Sequence, residues 1–176
     1  ANTGLSAELA LSNYDENNFS KNNKNNVGFA YMMRFHHQKE LKNKQQLLNP
    51  WFFYTKVFYE FIHKNFRVFE STREAEFKRN YNLDEDYSKR FSEQMAQLTL
   101  GFQNAEIGET RYDLNCLSRF GSMNALKNEL TSNIHKQGWK FSTATSYLFT
   151  NDSLQKTNFV KTYNNLSKSF RQVEVG

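Results

Sequence analysis

A chain of 176 residues is the size of one domain, and no proline-, glycine- or serine-rich stretch divides residues 1–176. Mean hydropathy is −0.81 and only 38% of residues are hydrophobic, but 16% are aromatic, with 17 Phe and 9 Tyr, a ring content that excludes a disordered polar chain. Net charge is +5 and is concentrated: residues 21–67 hold nine Lys and Arg against Glu40 and Glu60, which favours contact with anions without naming one.

Cys116 is the only cysteine, so an intrachain disulfide is excluded. No apolar run approaches the ~18–20 residues of a transmembrane helix. No secretory leader is visible, and Ala1 at the start fits a processed secretory chain, loss of an initiator Met or a trimmed chain. The expectation is a soluble protein, cytoplasmic or secreted.

From the N-terminus, Leu5, Ala7, Leu9 and Leu11 alternate with smaller or polar residues. Val27, Phe29, Tyr31, Met33 and Phe35 do the same. Both stretches have the period of two that marks strands, and the Asn- and Lys-rich residues 13–26 between them read as a polar loop at the tip of an antiparallel hairpin. Asn49-Pro50 then reads as a helix start. It precedes a stripe of Trp51, Tyr54, Phe58, Phe61, Ile62, Phe66 and Phe69 at steps of three and four.

Tyr87, Phe91, Met95, Leu98 and Phe102 predict a second helix, with Asp84, Glu85 and Asp86 at its positive end. A short helix is expected over 110–120. Ser122 and Gly138 bracket a further one, striped by Met123, Leu126, Leu130 and Ile134. Trp139 to Phe149 alternates as a Thr- and aromatic-rich strand. Phe159, Tyr163, Leu166, Phe170 and Val173 predict a last helix. The resulting fold class is α+β, a small antiparallel sheet with several helices on one face.

Three constellations are candidates for chemistry. Arg34, Lys39, Lys42 and Lys44 lie among aromatics, as an anion- or nucleic-acid-binding segment requires. Met32, Met33, His36 and His37 offer soft metal ligands, but strand alternation divides them between two faces. Cys116 and His135, with Asp113 or Asp152 as orienter, are the residue types of a thiol nucleophile and its base, without a flanking motif to bring them together. Glu106 and Glu109 flank Gly108 in an expected loop and suggest no role. No glycine cluster forms a phosphate loop. These residues imply no cofactor. They favour a non-catalytic interaction or assembly subunit with a protein partner or self-association, ahead of a nucleic-acid-binding protein using 21–67 and of an enzyme.

Overall fold

The computed structural model describes residues 1–14, 27–41, 49–67, 81, 91–152, 155–169 and 174–175. Among these there is no helix. One antiparallel sheet contains β1 (Asn2–Asn13), β2 (Val27–Leu41), β3 (Trp51–Ile62), β4 (Glu93–Asn104), β5 (Gly108–Arg119), β6 (Met123–Lys136), β7 (Trp139–Asp152), β8 (Lys156–Ser169) and the short β9 (Glu174–Val175). Their spatial order is their order in the chain, an up-and-down meander. The α+β expectation is therefore overturned, and with it the helices expected after Pro50, through Met95, Leu98 and Phe102, over 110–120, from Ser122 to Gly138 and after Ser153. The N-terminal hairpin and the strand from Trp139 are seen as strands.

The error has a physical source. A step of four returns a side chain to one face of a helix and equally to one face of a strand, so only steps of three discriminate. In β6 the apolar residues Leu126, Leu130 and Ile134 share a face, while Met123, three residues before Leu126, lies on the other. The same holds for Met95 and Leu98 in β4. In β3 nearly every position is aromatic or branched, which supports either period but favours a strand by composition.

Gly138, which resembled a helix boundary, is a turn residue instead. Gln137 and Gly138, with φ of 51° and 81°, make a two-residue turn whose left-handed backbone suits the twist of the β6–β7 hairpin. Asn104 fixes the turn between β4 and β5: its Oδ1 accepts the amides of Glu106 and Ile107, both at 2.9 Å. Its Nδ2 donates to the Asn49 carbonyl at 2.7 Å, joining the start of β3 to this turn.

β1 to β8 run 12 to 15 residues each, about 40–50 Å of extended chain. Their ladders are unbroken by bulges, so alternate residues keep to one face from β1 to β8. The buried cluster of Met95, Leu117, Met123, Ala125 and Leu148 lies on one face only, and Tyr81, from the long connection between β3 and β4, packs into it. That connection begins by crossing the same face: the Arg67 amide donates to Ser12 Oγ at 3.0 Å. The Phe66 backbone lies so near Gly28 that a β-carbon there would be 2.2 Å from its nitrogen.

Candidate functional site: a sheet with one charged and one apolar face

Following the register across the sheet separates its residues by chemistry. One face takes Leu5 and Leu9 of β1, Tyr31, Met33 and Phe35 of β2, Val57 and Phe61 of β3, and Leu98 and Leu100 of β4. It continues through Leu114, Leu126, Leu130, Tyr147, Phe149 and Val160. None of these side chains is buried. Even in interior strands Leu130 is 43% and Phe141 40% exposed, so the exposure is not confined to the edges of the sheet. Cross-strand rings pack on it, Phe53 with Phe102 at 5.0 Å and Tyr31 with Phe61 at 5.4 Å.

The polar side chains of this face are hydrogen-bonded to one another across strands. Tyr112 Oη donates to Asn128 at 2.6 Å, and Thr143 Oγ1 to Asn164 at 2.6 Å. Thr110 shares a bond of 2.7 Å with Ser132, and Thr145 one of 2.9 Å with Thr162. Its Lys and Arg residues are Lys39, Lys136, Lys156 and Lys168, each within three residues of a strand end. Lys168 Nζ lies 4.6 Å over the Trp139 ring.

Every Asp and Glu of β1 to β8 is on the opposite face: Glu8, Glu40, Glu60, Glu93, Glu109, Asp113, Glu129 and Asp152. The remaining Lys and Arg residues of β1 to β8 share that face, and several pair with these acids. Arg119 Nε donates to Glu93 at 2.7 Å, Arg111 Nε to Asp113 at 2.7 Å, and Lys127 Nζ lies 3.0 Å from Glu129. The Tyr54 hydroxyl donates to the Glu109 carboxylate by laying its ring across Gly101 of the intervening strand. Thr99 Oγ1 donates to the second Asp113 oxygen at 2.6 Å.

The residues singled out from sequence are dispersed by this geometry. Arg34 is on the charged face beside Glu8, at 3.2 Å, while Lys39 is on the apolar one; Lys42 and Lys44 lie outside the described residues, as do Asp84, Glu85 and Asp86. His37, on the apolar face, shares a hydrogen bond of 2.7 Å with Thr3, and His36 is on the other face. Met32 and Met33 divide in the same way, and among the described residues no group of three His, Cys, Asp or Glu could hold a metal ion. Cys116 is half-buried on the apolar face, whereas His135, Asp113 and Asp152 are on the charged one, so no thiol–imidazole pair forms. Glu106 accepts Asn49 Nδ2 at 3.3 Å.

Sequence reasoning missed the separation of charge itself. Its signal lay in parity: each of the acids in β1 to β7 occupies a strand position that alternates with those of the apolar face. No helix among the described residues is long and apolar enough to cross a membrane, a criterion that does not address strands. Comparison with protein families, curated proteins and solved structures finds no match to the chain.

Proposed function

We propose that the sheet is wall of a membrane-spanning β-barrel, with its apolar face against lipid and its charged face toward the interior. The single observation that carries this reading is the placement of charge. All acids of β1 to β8 share one face, and the other has only strand-end lysines, whose long stems let the ammonium reach the headgroup level.

Strand length agrees. A bilayer's hydrocarbon core of about 30 Å needs about 9–11 residues of tilted strand, fewer than any of β1 to β8 provides. So does the backbone: β2 to β7 are each laddered on both sides, which is what lipid demands of amides and carbonyls. The outer edges of β1 and β8 require the same in a bilayer. Closure meets that demand, and β9 already occupies β8 at Lys168 and Ser169. In this reading the apolar face meets acyl chains rather than the protein partner expected from the sequence.

Trp51 and Trp139 test it, being the only tryptophans and both on the apolar face at the strand ends next to the 137–138 turn. The chain, refolded into vesicles of phospholipid brominated at successive acyl positions, is expected to show tryptophan quenching that is strongest for bromines nearest the headgroup. Fluorescence indifferent to brominated lipid would overturn the proposal. If the same chain then sedimented as a discrete lipid-free oligomer, the apolar face would be a protein interface.

A further inference from the structure

We infer that the charged face has a binding site for a phosphate-type oxyanion between β2, β3 and β4. A cavity of about 430 Å³ opens there, lined by Arg34, His36, Lys56, Phe58, Gln97 and Thr99. His36 is directly opposite Lys56, and Arg34 is opposite Phe58, two residues along the strand. All three basic residues border the cavity from adjacent positions on two strands; the His36 ring lies back across Gly4 of β1, which leaves Arg34 and Lys56 as the cations that face a bound group.

Elsewhere on this face Arg111, Arg119 and Lys127 each pair with an acid. Here the balance differs. No carboxylate lines the cavity. Asp113, the acid next along the row beyond Thr99, is held by Thr99 at 2.6 Å and by Arg111 at 2.7 Å. Lys56 Nζ has the Tyr54 ring at 5.6 Å, and among the described residues neither it nor His36 has a carboxylate partner. Arg34 gives Nη1 to the exposed Glu8 and lies 5.5 Å over the Phe58 ring, leaving further guanidinium donors for a bidentate contact. The cavity has room for more than a bare phosphate, and Phe58 offers an apolar surface to the body of a phosphoester.

The assignment deepens the barrel reading by naming what its interior recognises, but the two fail separately. Titration calorimetry of the detergent-refolded chain with inorganic phosphate, at fixed ionic strength, should show one saturable site. Lys56→Gln and Arg34→Gln should each weaken it about tenfold, as loss of a charge-assisted hydrogen bond does. Lys56→Arg should retain it. Lys161→Gln, on the same face but on β8, should leave it unchanged. Non-saturable heats would overturn the site, as would equal competition by chloride or equal weakening by Lys161→Gln. Circular dichroism of each variant matching the parent chain makes those readings attributable to the site. Phosphate binding that persists in a chain giving no lipid quenching removes the barrel and keeps the site; quenching without phosphate binding does the reverse.

Discussion

Gly101 shows how much a single position on the charged face decides. The Tyr54 ring crosses β4 at this residue to reach Glu109 on β5, and a β-carbon at 101 would stand 2.2 Å from Tyr54 Cζ. Gly101→Ala should therefore displace a ring that is only 8% exposed. Overpacking of this kind costs about 1–3 kcal/mol, so the variant should unfold at lower urea concentration than the parent chain. An unchanged midpoint would mean that the ring has another place to go. Nothing in the sequence announces this contact, because Tyr54 and Glu109 are brought within reach only by two ladders of fixed register.

At the scale of the strand, legibility depended on which residues sit opposite the apolar positions. β1, β2 and β7 were readable because Ser, Gly, Ala and Lys alternate with their large side chains. β3 was not, since Phe52, Tyr54, Phe58 and Ile62 occupy the charged face and fill the gaps that would have revealed a period of two. β5 was obscured differently: Asn115, Leu117 and Ser118 blur the contrast between its faces. The candidate site was legible only in its ingredients. Arg34 and His36 stood out, whereas Lys56 lay inside a segment read as helix.

The same alternation yields a paired prediction. Leu98 is on the apolar face midway along β4 and Gln97, its neighbour, is on the charged one. Leu98→Arg should cost about 2–4 kcal/mol in a bilayer, cutting the folded fraction in vesicles, while Gln97→Arg should leave it close to that of the parent chain. Equal effects of the two substitutions, followed by resistance to protease after vesicle refolding, would deny that the faces see different solvents.

For the whole molecule, the connections alternate between two ends. Those at 14–26, 63–92, 120–122 and 153–155 are at one, and those at 42–50, 105–107 and 137–138 at the other. The inner strands are laddered on both sides, whereas β1 is paired only with β2 among the described residues. In detergent, amides of β4 to β6 should exchange with deuterium slowest and the outward amides of β1 soonest. Uniform protection of β1 would show that its free edge has acquired a partner, a second copy or closure of the sheet upon itself.

Bulge-free ladders also give the chain a reading frame of two. One residue inserted or deleted within β4 would send Glu93 or Thr99 to the apolar face and turn Leu98 and Leu100 toward the ion pairs, whereas a change of two would restore the alternation. Length variation in such a protein is thus quantised: strands change by pairs of residues, and odd numbers are absorbed only in the loops.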